Sequence, residues 1–368
     1  MRTQLLVSEK PNNFDAIRIA MAFLVVWSHS FALYFGTESR ELISRLTHGS
    51  VNAGNVAVDV FFVISGFLIT KSFERSRSWW TYLKKRVARI YPAYLVATSL
   101  CAFVLLPLYA GIRYSPRAIV NTIGLNLMLR NWFVSPDPFI HNHIHALNGS
   151  LWSIPIEFWC YIGVLAFGLL RLSRLFLAAT FGVIVGAHVW TVGTGKVWGG
   201  GILALVVGWP NIWFQMAPFF IAGMLCYLYR DRIPRSGWVA AGGLLFFTIL
   251  SWTLPLVGQA VLPAALAYAV LHWAFAPRVL PAARFGDFSY GSYLYAFPIQ
   301  QLLLSLTTFR FTAFVATSMA LTLCAGVMSW FVVERWFHRT REVTLHVKAT
   351  EGRAQLRGGP PVETSERT

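Results

Sequence analysis

Apolar residues recur along this chain in runs near twenty residues, separated by short polar stretches. A run of about 17 or more apolar residues is long enough to cross the hydrocarbon of a bilayer as a helix. Ten runs meet that length, near residues 16–35, 54–73, 91–111, 150–170, 174–192, 211–229, 237–254, 258–275, 289–307 and 311–333. Two further apolar pieces, 118–129 and 201–209, are short and read as re-entrant or interfacial segments. The pattern predicts an all-α polytopic membrane protein, a bundle of about ten transmembrane helices. Residues 1–13 form a polar tail, 14–335 the integral-membrane domain, and 336–368 a basic tail whose polar, Gly- and Pro-bearing composition predicts disorder.

Composition narrows the class without changing it. Of 368 residues, 56% are hydrophobic and 12% charged, and the mean hydropathy is +0.55, which leaves little room for a soluble core. The first run is too long and too charged for a cleaved signal peptide and is taken as the first span. The cysteines (Cys101, Cys160, Cys226, Cys324) each sit inside an apolar run without a CxxC pairing, and read as small buried hydrophobes.

Charge then orients the bundle. With the N-terminus inside, 23 of the 31 Lys and Arg residues fall in the inner tails and loops, counting Lys71 and Arg174 at the inner ends of their spans with the adjoining loops, seven in the outer loops, and Arg18 within a span. The positive-inside rule therefore favours N-in and C-in, and membrane topology accounts for the net charge of +16 better than nucleic-acid binding does.

Arg18 and His29 raise the question of function. They are eleven residues apart, which on a helix returns to nearly the same face, roughly 16 Å along the axis. An ionisable group inside a span faces the bundle interior and marks function by default, against the blander reading of a polar side chain satisfied by its neighbours. In span 2, Asp59 is placed to pair with Arg18 or His29. Ser65 in VISGF is not a G-x-S-x-G elbow, so it reads as pocket lining rather than a nucleophile, and Gly66 allows close approach of a helix or ligand.

Two more stretches carry chemistry. Lys84, Lys85, Arg86 and Arg89 follow span 2 on the inner side, with Tyr91-Pro92 after them. Arg86 and Arg89 share a helix face, and the cluster is either topogenic and lipid-binding or a site for a phosphate-rich ligand. Span 4 opens with Trp152 and Ser153. Glu157, four residues on, shares the Ser153 face near the outer end, to orient an acceptor hydroxyl, relay a proton, or simply pair with an internal cation. The outer-loop histidines His141, His143 and His145 lack a carboxylate or cysteine partner for a metal, and GTGK at 193–196 lacks the first glycine of a P-loop.

Arg18 and His29 at their spacing, FFVISGFLIT at 61–70, KRVARIYPAY at 85–94, LWSIPIE at 151–157 and FSYGSYLYAFPIQQ at 288–301 together resemble the membrane acyltransferase-3 family of multispanning bacterial sugar O-acyltransferases. The resemblance covers the chain to about Glu334. It implies transfer of an acyl group, most often acetyl, from cytoplasmic acyl-CoA to a hydroxyl of an envelope or exported glycan, in the bacterial inner membrane. It also implies a role for Arg18 and His29 in catalysis and for Lys85, Arg86, Arg89 and Tyr91 in holding the donor. Acyl-CoA enters as a substrate, and no permanently bound cofactor is expected. Asp59 and Glu157 join the catalytic set, and Ser65, Trp152 and Ser153 line the substrate path.

The chain departs from the family pattern at Ala296-Phe297-Pro298, where many members carry a His before the proline, and at Glu334-Arg335-Trp336, where many have Glu-Pro-Phe. About 35 residues after span 10 are too few for the esterase-like domain that many relatives append, so the stand-alone form is expected. The chemistry agrees with the resemblance. Acyl transfer to a hydroxyl needs a base near neutrality, a group to stabilise the oxyanion and a dry cavity, which His29, Arg18 and the bundle supply. The rival is a transporter or flippase of a glycan-lipid or small anion using Arg18, Asp59 and Glu157 as a charge pathway. It leaves the cytoplasmic Arg cluster without a task and lacks a pair of broken helices.

Overall fold

The computed structural model describes residues 12–130, 138–196, 204, 207–280, 282 and 286–337. Most of the N-terminal tail, nearly all of the C-terminal tail and most of 201–209 lie outside the described residues. Every regular element described is helical. In chain order these are α1 (Phe14–Phe35), α2 (Leu42–Leu46), α3 (Ala53–Glu74), α4 (Trp79–Leu100), α5 (Leu106–Ala110), α6 (Pro116–Leu127), α7 (Ser153–Leu169), α8 (Arg174–Thr194), α9 (Pro210–Leu228), α10 (Gly237–Thr253), α11 (Pro255–Ala274), α12 (Ser289–Leu306) and α13 (Phe311–Ser329). Seven of the helical segments are long and apolar enough to cross a membrane. Each of the ten apolar runs contains a helix, but α7 and α10, at 17 residues each, and α12, at 18, are not among the seven. The short piece at 118–129 is the helix α6.

Local chemistry sets the starts. Asn52, Ser78, Ser115, Ser173 and Ser236 each accept a backbone N–H with the side chain at an N-cap, satisfying donors that the first helical turn leaves open. A π-helical turn (Cys101–Leu105) joins α4 to α5, and another (Trp330–Glu334) extends α13.

The centre of the bundle is α3, which packs on α1, α7 and, most extensively, α9. Gly66 explains the last contact. A Cβ there would overlap the Phe220 carbonyl of α9, and a Cβ on Gly223 would overlap the Val63 carbonyl of α3, so the backbones touch through a reciprocal glycine pair. The close approach expected at Gly66 is thus made by a helix. Around this pair, α12 packs on α1 and α13, and α8 and α11 close the other flank. Cys101 and Cys160 are buried, whereas Cys226 is half-buried and Cys324 exposed.

Span 4 begins later than its hydropathy predicts. The chain before α7 is irregular yet buried at Leu147, Asn148, Ser150 and Leu151. Non-helical backbone survives inside a bundle only when its polar groups are met by protein, and α12 meets them. Gln301 Nε2 donates to the carbonyls of Ile144 (2.6 Å) and Ala146 (2.8 Å), and Asn148 Nδ2 donates to Leu294 O (2.9 Å). The segment therefore descends along α12 from the level of Gln301 to that of Leu294 before α7 starts.

Candidate functional site

Because α7 starts deep, Ser153 meets Tyr293 of α12, their hydroxyls 2.7 Å apart. Glu157, one turn further, accepts hydrogen bonds at Oε1 from Ser65 and Tyr161, both 2.6 Å. Ser65 is twelve residues into α3, roughly 18 Å from its start. The outer placement expected for Glu157 is therefore corrected: it lies in the half of the bundle where α1 begins, sharing a small cavity of about 40 Å³ with Arg18, Ser65, Ser153 and Tyr290.

At that same end an ionic cluster joins four segments. Arg18 Nη1 of α1 donates to Asp287 Oδ2 at 2.7 Å. Arg89 Nη2 of α4 lies 2.7 Å from the same oxygen, as an ion pair without the alignment of a hydrogen bond, and its Nη1 is 3.9 Å from Glu334 Oε2. Ser329 Oγ donates to the other Glu334 oxygen at 2.8 Å. Asp287 follows Gly286, whose φ of +113° excludes other residues and whose missing Cβ admits the Trp330 indole. Burial would raise the Asp287 carboxyl pKa, but the two guanidiniums and Ser289 hold it well below the usual carboxylate range.

This cluster revises two expectations. Arg18 pairs with Asp287, not Asp59. Arg89 is an interior cation between two carboxylates rather than an open phosphate ligand. Arg86, on the same face, is also turned inward: its Nη2 donates to Ser72 Oγ at 3.3 Å and its guanidinium lies over the rings of Tyr82 and Tyr161. Lys85 Nζ donates to Ser76 Oγ at 3.3 Å. Tyr91 points elsewhere, donating to Leu127 O at 3.0 Å and packing edge-on against Phe158.

His29 lines a different and larger cavity, about 280 Å³, with Asn52, Asn55, Trp152, Gln215 and Phe297. Its ring stands edge-on to Phe297, centroids 5.3 Å apart, and its buried Nδ1 has no hydrogen-bond partner among the described residues. Phe297, just before Pro298 where a His is the alternative expected from the resemblance, supplies an apolar wall. Val58 and Tyr293 line both this cavity and the Arg18 cavity. The two thus meet at the Ser153–Tyr293 contact. Arg18 and His29 face the same interior, as their spacing predicts, but in separate chambers, so the structure does not place Arg18 beside the His29 ring to stabilise an oxyanion. Asp59 joins neither of them. It is 3% exposed, its Oδ1 has no partner among the described residues, and it lines a third cavity.

Sequence reasoning missed Asp287 and Tyr293 and treated Glu334 only as a departure. Asp287 carries one weak signal, an acidic residue after glycine just before a span in a chain with only 15 acidic residues.

The acyltransferase-domain family model matches residues 12–332. The O-acetyl transferase of Shigella phage Sf6 is 30% identical over 341 residues, 89% of this chain and 96% of that one. Nodulation protein 10 of Rhizobium leguminosarum bv. viciae is 23% identical over 358 residues, 88% of this chain and 92% of that one. A 109-residue stretch, 30% of this chain, is 29% identical to acyltransferase MdmB of Streptomyces mycarofaciens and covers 27% of it. No solved structure matches. With a multipass helical bundle and a family match across nearly all of it, the chain belongs to the acyltransferase-3 family and is an acyltransferase.

Proposed function

We propose that the protein is an O-acyltransferase that moves an acyl group, acetyl foremost, from cytoplasmic acyl-CoA to a hydroxyl of a cell-envelope or exported polysaccharide or its lipid-linked precursor. The bundle sits in the bacterial cytoplasmic membrane, N-in and C-in. The observation that carries this reading is His29: an imidazole whose Nδ1 has no partner among the described residues, in a cavity within the bundle that Asn52, Asn55 and Gln215 also line. The phage relative, named for acetyl transfer and similar across almost the whole chain, supports acetyl as the group.

In this reading His29 takes the proton of the acceptor hydroxyl as its oxygen bonds to the thioester carbonyl carbon. The C–S bond then breaks, and the coenzyme A thiolate leaves with the proton from the imidazolium. Asn55 and Gln215, amide donors on the wall of the same cavity, stabilise the developing oxyanion in this reading. Arg18 and Arg89, held by Asp287, act as positioning residues that fix α1 and α4 against α12. The donor's phosphates meet the basic face of α4 around Lys84 and Lys85. The Arg18 cavity holds only about 40 Å³, so an acyl-pantetheine arm reaches His29 only after Tyr293 swings away from Ser153.

Membranes holding the protein, given acetyl-labelled acetyl-CoA, test the reading. Label should pass into glycan, and a deletion strain should lose the matching O-acyl group by mass spectrometry. Movement of a substrate across the membrane without any label in glycan would favour the transporter reading instead.

A further inference from the structure

The cavity around Asp59 is about 350 Å³, at the small end of the usual range for ligand pockets. It lies between α3, α8, α9 and α11, and neither the ionic cluster nor the His29 chemistry uses it. Its wall carries Asp59, Gln215, Gln259, His188 and Asn211, with the apolar Phe219 and Leu262 beside them. Gln259 is held from both ends. Its Nε2 donates to Ser50 O at 2.9 Å, and its Oε1 lies 3.3 Å from His188 Nε2, so the amide is fixed before any ligand arrives.

Three features define the ligand. Amides and imidazole offer donors and acceptors together, which suits hydroxyls, since each hydroxyl is both. The buried Asp59 carboxylate, with Oδ1 unpartnered among the described residues, accepts from such donors, and leaving it unsatisfied costs free energy that a ligand would recover. An anionic ligand would find Lys196 as the single cation among the described residues of the wall. The apolar patch at Phe219 and Leu262 suits the C–H face of a ring. A neutral polyhydroxylated ring fits all three features.

Asn55 and Gln215 line this cavity and the His29 cavity alike. Resting on the proposed function, we infer that the Asp59 cavity is the subsite for a sugar residue of the acceptor glycan, with Asn55 and Gln215 at the portal through which one ring hydroxyl reaches His29.

The test is direct binding of methyl glycosides of common hexoses and N-acetylhexosamines to the full-length protein in nanodiscs, by saturation-transfer NMR, alongside transfer from labelled acetyl-CoA. Asp59→Asn and Gln259→Leu should each weaken glycoside binding at least about tenfold, with the KM for acetyl-CoA and the melting temperature near parental. His29→Gln should bind glycosides as parent does. Unchanged glycoside binding in both folded variants, or no binding of any glycoside by the parent, would overturn the subsite. Parental glycoside binding that depends on Asp59 without any transfer of label would uphold the subsite and sink the acyl-transfer reading. Transfer that is indifferent to both substitutions would do the reverse.

Discussion

The hydroxyls of Ser153 and Tyr293 lie 2.7 Å apart where the Arg18 and His29 cavities meet. One residue opens a helix that begins deep in the bundle, and the other sits one turn inside α12. Ser153→Ala and Tyr293→Phe should each cost about 1 kcal/mol of stability. The double variant should cost scarcely more than either, since both remove the same bond. A double-mutant cycle on thermal unfolding in detergent checks this, and full additivity would mean that the two hydroxyls are bonded elsewhere.

Asp287 Oδ2 lies 2.7 Å from both Arg18 Nη1 and Arg89 Nη2. Asp287→Asn leaves two interior guanidiniums short of a counter-charge and should cost about 3 to 5 kcal/mol, seen as a lower melting temperature and reduced accumulation in the membrane. Arg89→Lys should recover part of the loss caused by Arg89→Ala, because a point charge still pairs with Asp287 without a planar fork. Equal stability of Asp287→Asn and parent would show that the cluster does not hold α1, α4 and α12 together.

Gly66→Ala forces a methyl group into the Phe220 carbonyl and should cost roughly 1 to 3 kcal/mol or more by overpacking. Gly182→Ala in α8, where nothing lies within 4 Å of an added Cβ, should be neutral to slightly stabilising. Equal effects at the two positions would remove the close α3–α9 contact from the description.

Much of the bundle is legible from hydropathy, because a span announces itself in consecutive residues. Each of the ten apolar runs contains a helix, seven of them in segments long and apolar enough to cross a membrane, and Arg18 and His29 face one interior as a 3.6-residue period requires. What stays hidden is non-local. Asp287 meets Arg18 across 269 residues of sequence, and no local pattern encodes that pairing. The late start of α7 depends on Gln301 satisfying carbonyls 155 and 157 residues away. Hydropathy alone extends the span back to residue 150 and so misplaces Glu157. Asp59 is chemically able to pair with Arg18, and only the packing of α3 shows that it turns toward α8 and α11 instead.

The loop between α1 and α3 carries a pH dependence. Burial raises the pKa of both Glu38 and Glu41, and the charge of Glu41 raises Glu38 further. A carboxyl that binds its proton more tightly when folded loses stability as pH rises from the unfolded value of 4.5 toward the folded one. Melting temperatures across that interval should fall with rising pH from this source, and Glu41→Gln should flatten the decline. A steeper decline in Glu41→Gln would reverse the sign assigned to the group.

The chemistry assigned to His29 turns on one variant. His29→Gln keeps the side chain polar and similar in size but removes the base, so the protein should accumulate in the membrane at parental levels and still bind acetyl-CoA. Transfer of labelled acetyl from acetyl-CoA to glycan should fall by at least about 100-fold, the lower end of what general base catalysis supplies. Near-parental transfer by a well-folded His29→Gln protein would show that the reaction does not use His29 as its base.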